Sequence, residues 1–262
     1  MPDSERISIS TGGDGVARIV FDHAPTMNAI TLTMVEQIRD ALPDISRHAR
    51  CLVVSGGGQH FCSGADLSKG TSTGSQKSDA GYRLETHFNP MMSDLRNLSI
   101  PWVSVVRGAA AGIGCAIALS ADLIVASRNA YFLQAFRRIG LIPDGGSAFV
   151  LARAAGRVRA MEMMLLGEKV PAQTALDWGL INRCVEDDAL EAEAEAIVAR
   201  IASGPTRALS LARHSAWAAV ERDYEGSLAV ERKYQGEAGM TDDYLEGVAA
   251  FREKRPARFT GR

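Results

Sequence analysis

Two glycine-flanked turns and one acidic turn hold the residue types in this chain that could do chemistry. The first turn, FCSGADL from Phe61 to Leu67, has small residues at Ser63, Gly64 and Ala65 that let a ligand approach the main chain closely. The second lies in WVSVVRGAAAGIGCAIAL, Trp102 to Leu119, where an apolar strand runs into Gly108 and then into a helix opening at Gly112-Ile113-Gly114. The first turn of a helix has unpaired N–H groups and the positive end of the dipole, so an oxyanion there meets donors that need no rearrangement. Glycines that serve only tight packing, with Asp66 as a turn residue, explain the same two segments. Counting GxGxxG from Gly112 puts Ile117 at the third glycine, so this is not a dinucleotide fingerprint.

The acidic turn is GLIPDGGS, in which Pro143 fixes the entry and Gly145-Gly146 let the chain bring Asp144 against a cavity. Asp before Gly-Gly-Ser is a good N-cap for the helix that follows, and from the residues alone capping is the favoured role. If Asp144 is instead a base, burial can raise its pKa by up to about 3–5 units, far more than a helix N-terminus lowers it. Phe132, Phe136, Ile139, Leu141 and Ile142 stand nearby to supply an apolar setting that would tune a proton shuttle toward neutral pH.

Other chemistries find no footing. There is no GxSxG elbow, P-loop, HExxH or paired-cysteine motif, and the four cysteines (Cys51, Cys62, Cys115, Cys184) lie far apart with no histidine at ligand spacing. They read as small buried apolar residues, and no metal site is expected. Of the five histidines only His60 stands beside a candidate turn, where it reads as a solvated loop residue. A formal net charge of −2 gives no bulk attraction to nucleic acid or an anionic membrane. The longest apolar stretches are short and broken by glycine, and Met1-Pro2-Asp3-Ser4-Glu5 is acidic, unlike a signal peptide, so a cytoplasmic protein is expected.

The elements that must hold these turns follow from periodicity. Ile7 to Ser10 and Val16 to Asp22 alternate around a Gly-rich turn and predict an opening hairpin. Helical spacing over Thr31 to Leu42 leads to a buried strand at Cys51 to Val54. Lys69 to Ala80, rich in Ser, Thr and Gly, reads as a loop, either a plain connection or a lid. Tyr82 to Leu98 is helical, Trp102 to Val106 a strand, Gly112 to Ser120 a short helix and Asp122 to Ala126 another strand. Helices follow through Ala155, from Arg157 to Leu166 before Gly167, and from Pro171 to Trp178. From Asp188 the pattern is all helical, broken at Gly204-Pro205 and restarted by a Thr241 cap. The 262 residues, 46% apolar, thus predict an α/β body with a helical C-terminal third.

Taken in order, FCSGADL, VVRGAAAGIGCAIALSADLIVAS, GLIPDGGS and GEKVPAQTALDWGLINRCV resemble the crotonase (enoyl-CoA hydratase/isomerase) superfamily along nearly the whole chain. The resemblance implies a ClpP-like spiral of repeated ββα units over residues 1–200 and a helical trimerisation region over 201–262, assembled as a homotrimer or hexamer. It implies an acyl-CoA thioester as substrate, with coenzyme A arriving as part of that substrate and no separate cofactor. The backbone N–H groups of Ala65 and Ile113 would hold the thioester oxygen. Met27, Ser63, Gly64, Asp66, Leu67, Gly112, Phe136 and Leu141 would line the substrate, and Phe251 and Lys254 would reach a neighbouring subunit's coenzyme A. Met27 stands where family members often carry Arg or Lys before the Asn-Ala pair.

Standard enoyl-CoA hydratases carry two glutamates that here correspond to Ala116 and Phe136. Adding water needs one group to activate it and another to protonate the α-carbon, so hydration loses its usual agents. FxxAFxxxGLIPDGG with Asp144, the pair Asn89-Pro90 and the ending GVAAFREKRPARFTGR are instead similar to the ring-1,2-epoxyphenylacetyl-CoA isomerase branch. A single carboxylate suffices to move a proton while the two amides hold the enolate. Three alternatives stay open: a hydratase with atypical residues, an aryl-CoA dehalogenase-like hydrolase with Asp144 as nucleophile, and a non-catalytic CoA-ester-binding protein. The dehalogenase reading needs a histidine where Asn89 stands, with His87 two residues away.

Overall fold

Alternating apolar residues build the first two strands, β1 (Ile7–Thr11) and β2 (Val16–Phe21), which pair antiparallel as the expected hairpin. A computed structural model of the chain describes residues 6–68 and 79–261. The acidic opening and residues 69–78 of the possible lid therefore lie outside the described residues. Helix α1 (Leu32–His48) starts where Thr31 accepts a hydrogen bond from the Met34 amide, and it buries Met34, Val35, Ile38, Leu42 and Ile45 at helical spacing. It continues through Pro43, past the expected end at Leu42.

Strand β3 (Cys51–Gly56) returns parallel to β2. A helical segment then runs from α2 (Gly81–Arg83) through one π-helical stretch at Leu84–Phe88 into α3 (Asn89–Arg96). Strand β4 (Trp102–Val106) is followed by the short β5 (Ala109–Ala111) and by α4 (Ile113–Leu119). Next come β6 (Leu123–Ser127), β7 (Tyr131–Leu133), α5 (Ser147–Ala154), α6 (Arg157–Leu166), β8 (Val170–Pro171), α7 (Ala172–Asp177) and β9 (Arg183–Val185). The six-stranded sheet has the order β1-β2-β3-β4-β6-β9, and a second sheet has β5-β7-β8.

The second sheet explains the repeat. Single parallel bridges join Ile30 to Ala65 and Cys62 to Ala110, extending the β5–β7 pairing backward along the chain. Each turn of the chain therefore sets one strand in the large sheet, one short rung in the small sheet, and then a helix. This is the crotonase spiral of ββα units. Burying both faces of the parallel strands puts Ile19, Leu52, Val54, Trp102 and Val106 in one core layer with α1 and α4.

Four helices complete the chain: α8 (Leu190–Ala202), α9 (Thr206–Ala219), α10 (Tyr224–Ala238) and α11 (Asp242–Glu253). Leu190 and Val198 of α8 pack under the large sheet with Val53, Val103 and Val125. Helix α9 is tied down by Arg213, whose guanidinium donates to both Asp122 oxygens at 2.9 and 2.7 Å and to the Leu98 carbonyl. Among the described residues no helix is long and apolar enough to cross a membrane.

Candidate active site

The FCSGADL turn is held from below by Asn28. Its buried side-chain amide donates to the carbonyls of Gly57 at 3.0 Å and His60 at 2.6 Å and accepts from the His23 amide at 2.7 Å. Met27 and Asn28 both sit in the left-handed region, at φ 51° and 60°, a conformation that Asn tolerates better than most residues. Ser63 adds two bonds to this corner, from its hydroxyl to the Thr26 carbonyl at 2.7 Å and from its amide to the Met27 carbonyl at 2.9 Å. His60 is not a free loop histidine, because its Nδ1 accepts the Ala109 amide at 3.2 Å.

Pairing decides where the Ala65 amide points. The Ile30 amide donates to Gly64 and the Asp66 amide to the Ile30 carbonyl, so Ala65 occupies the rung whose N–H faces away from Ile30. The Ile113 amide, the first of α4, has no partner within its helix. Among the described residues neither amide donates to a protein acceptor. The two turns are in register because Cys62 and Ala110 are bridged. They touch through glycine: Gly64 has φ 115° and Gly112 φ 54°, and a Cβ on Gly112 would lie 3.7 Å from the Gly64 Cα. A side chain at either position would be strained by its positive φ.

Asp144 does not cap the helix that follows it, contrary to the role favoured from the residues alone. The N-cap of α5 is Gly146, with no side-chain hydrogen bond, and only the Asp144 carbonyl is used, by the Ser147 amide at 3.0 Å. Asp144 Oδ1 is buried and has no hydrogen-bond partner. Burial pushes this carboxyl up to about 6, since desolvation disfavours the charged form and nothing nearby compensates. The next residue, Gly145, is pressed onto α4 so closely that a Cβ there would collide with Ile113 Cδ1 and lie 2.8 Å from the Ala116 Cβ. The acidic turn and the open amide of α4 are thereby neighbours.

The apolar setting differs from the expected one. Phe136 is buried and its ring tip would meet a Cβ on Gly112 at 3.9 Å, and Phe132 is fully buried. Ile139, Leu141 and Ile142 instead face outward, because the turn after Phe136 carries them away from the core. Ala116 is buried on α4. Asp66 is engaged by protein: Arg6 donates to it at 3.1 Å and the Ser68 amide at 2.8 Å. Burial pushes its carboxyl up, but the hydrogen bonds from Ser68 and Arg6 outweigh it and hold the group below the usual range.

Met27 and Leu67 are both exposed beside the turn. Phe251, 85% exposed, and Lys254, in the left-handed region, end α11. That helix is occupied with the C-terminal tail, through Asp243 accepting from Thr260 and Gly261 and through Glu246 with Arg255. Among the described residues, no hydrogen bond, ion pair or ring contact joins Phe251 or Lys254 to the turns. His87 is engaged on both ring nitrogens, with Nε2 3.4 Å from Glu36 of α1 and Nδ1 2.7 Å from the Thr86 hydroxyl. Cys51, Cys62 and Cys115 are buried thiols pushed up to about 12 by burial, which makes them inert. No group of three or more His, Cys, Asp or Glu among the described residues could hold a metal ion.

Asn28 is the contributor that periodicity and motif spacing did not single out as a site residue. Its only signal is local, a Met-Asn pair just before the Ala29-Ile30 rung.

A ββα spiral that leaves two amides unpaired on neighbouring turns, with a desolvated carboxylate in the turn packed on α4, has the architecture of the crotonase class of enzymes. The sequence profile of a family described as Enoyl-CoA hydratase/isomerase matches residues 11–262. A "Probable enoyl-CoA hydratase" of Rhodobacter capsulatus is 39% identical over 95% of this chain and 96% of its own length. The "1,2-epoxyphenylacetyl-CoA isomerase" of Escherichia coli is 36% identical over the same shares. A crystal structure of a putative enoyl-CoA hydratase/isomerase from Mycobacterium abscessus superposes with a TM-score of 0.92 at 32% identity, covering 98% of this chain and 100% of that one. The chain belongs to the enoyl-CoA hydratase/isomerase family.

Proposed function

We propose that the chain is an enoyl-CoA double-bond isomerase, working by enolate stabilisation and proton transfer through one carboxylate. Asp144 carries the reading: a buried, unpartnered oxygen on a carboxyl raised to about 6, one residue from a glycine packed on α4. The thioester oxygen of a 3-enoyl-CoA accepts hydrogen bonds from the Ala65 and Ile113 amides. The Asp144 carboxylate takes a proton from the α-carbon, and the electron pair spreads over a dienolate whose charge rests on the held oxygen. The carboxylic acid then returns the proton to the γ-carbon, which moves the double bond into conjugation.

In this reading the substrate runs along Gly64, Leu67 and Gly112, with Met27 and Leu141 at its edge, while Asp66 shapes the turn from behind. Phe251 and Lys254 serve a neighbouring subunit in a homotrimer or hexamer, with residues 201–262 as the trimerisation region on a core of 1–200. The partner is an acyl-CoA thioester, with no nucleic acid or membrane, in the cytoplasm. The isomerase name of the E. coli relative supports this branch.

The hydratase name of the R. capsulatus relative favours a second reading, hydration by atypical residues. Against it stand Ala116 and Phe136, which offer water neither an acid nor a base. Asp144→Asn tests the choice. It should lower isomerisation of 3-enoyl-CoA by roughly 10²–10⁴-fold with acyl-CoA binding retained. A variant as active as the parent protein, or water added to 2-enoyl-CoA by both, removes the isomerase assignment.

A further inference from the structure

Resting on the acyl-CoA isomerase reading, we infer that the Phe149–Trp217 ring pair is a partition that sets how long an acyl chain the site accepts. A cleft of about 330 Å³ begins at Gly145 and Gly146, directly after Asp144, and is bordered by Asn89, Met92 and Ser120. Ser120 closes the end of α4 opposite the Ile113 amide, and that helix spans about 10 Å. A chain whose thioester oxygen sits at Ile113 and whose tail follows α4 therefore reaches this cleft. Apolar cavities of about 150 Å³ already admit benzene, so the space holds a ring or a medium-length tail.

A second cleft of about 410 Å³ lies beyond, lined by Leu119, Ile124, Ala154 and Leu180. The two clefts share Phe149, Val150 and Trp217 as their common wall. Phe149 comes from α5 and Trp217 from α9, with ring centroids 6.3 Å apart. Arg96 lies over both rings, at 5.4 and 4.8 Å, and Arg153 over Phe149 at 3.7 Å. Both cations are tethered, Arg96 to Glu221 and Arg153 to the Val220 carbonyl, so the rings are gripped from two sides. At the base of the second cleft the charge of Asp122 is matched by Arg213. That cleft is suited to an apolar chain, and the ring pair, with Val150 beside it, keeps it apart from the first.

The test is a series at the partition, Trp217→Phe, Trp217→Leu and Trp217→Ala, with Phe149→Leu, assayed on 3-hexenoyl-, 3-decenoyl- and 3-hexadecenoyl-CoA. The parent protein should turn over the first two and discriminate against the third. Each methylene newly buried is worth roughly fourfold, so Trp217→Ala should raise the kcat/KM ratio of hexadecenoyl to hexenoyl substrate by about tenfold or more. Trp217→Phe, whose folding is least at risk, should fall between, with circular dichroism confirming each fold. An unchanged ratio across the folded members overturns the partition. Calorimetric binding of saturated hexanoyl- and hexadecanoyl-CoA separates the two readings. If no variant isomerises any substrate but the affinity ratio still shifts toward the long chain in Trp217→Ala, the partition stands and the isomerase assignment falls.

Discussion

Two aspartates in this molecule have been pushed in opposite directions, and the difference assigns their work. Asp66 receives hydrogen bonds from Ser68 and Arg6 and stays ionised as a structural anion. Asp144 receives none at its buried oxygen and rises to about 6. A base must be ionised to act, so kcat/KM for 3-enoyl-CoA should climb with pH through about 6 and level off above it, and Asp144→Asn should abolish that limb. Stability must carry the opposite sign. A carboxyl whose folded pKa exceeds its unfolded value favours the fold below the unfolded pKa, and that contribution is lost as pH rises through about 6. Thermal melts of Asp144→Asn should therefore show a higher Tm than the parent at pH 7.5 and no difference near pH 3.5. A flat pH profile together with equal melting at both pH values would mean that Asp144 is solvated and ordinary.

Helix α9 is joined to the spiral by a buried ion pair, since Arg213 reaches across to Asp122 and to the carbonyls of Leu98 and Leu95. With the Arg213 side chain 4% exposed, Arg213→Ala leaves Asp122 buried without its counter-charge and should destabilise the protein by about 3–5 kcal/mol in urea unfolding. Adding Asp122→Asn should recover part of that loss, because the orphaned charge disappears. This pair spans 91 positions and left no trace in periodicity, which reports only what lies within a few turns of a residue. The legible parts were local: the helical spacing of α1, the Thr241 cap, the left-handed Gly167 stop and the alternation of β1 and β2. Ala109–Ala111 escaped notice because three alanines carry no alternation, although this strand sets the register of both turns. The candidate site was readable as motifs but not as directions. That the Ala65 amide faces outward depends on Ile30, and that Asp144 declines its capping role depends on where Gly145 meets α4.

Too much apolar surface is left on one chain to be scattered exposure. Helix α6 carries Val158, Met161 and Leu165 on one stripe, exposed 74%, 40% and 60%. Helix α10 buries no residue of its own, and Tyr224, Tyr244, Leu245 and Phe251 face outward from α10 and α11. An isolated exposed leucine needs no explanation, but a stripe at helical spacing beside a helix with no buried face needs a covering surface. The formal net charge of −2 offers little repulsion between copies. The described single chain also brings no cation from α11 to the turns, as the proposed assembly would by lending Lys254 to a neighbour. Light scattering should therefore give a mass three or six times the 28.0 kDa of the chain. Val158→Glu with Leu165→Glu should shift that mass downward, since each buried carboxylate would face an apolar neighbour without a partner. Lys254→Ala should leave the mass unchanged and weaken acyl-CoA binding, an effect that should vanish in the dissociated double variant. A parent protein that runs as a monomer at working concentration, with full acyl-CoA affinity, would mean that the exposed helices serve something other than self-assembly.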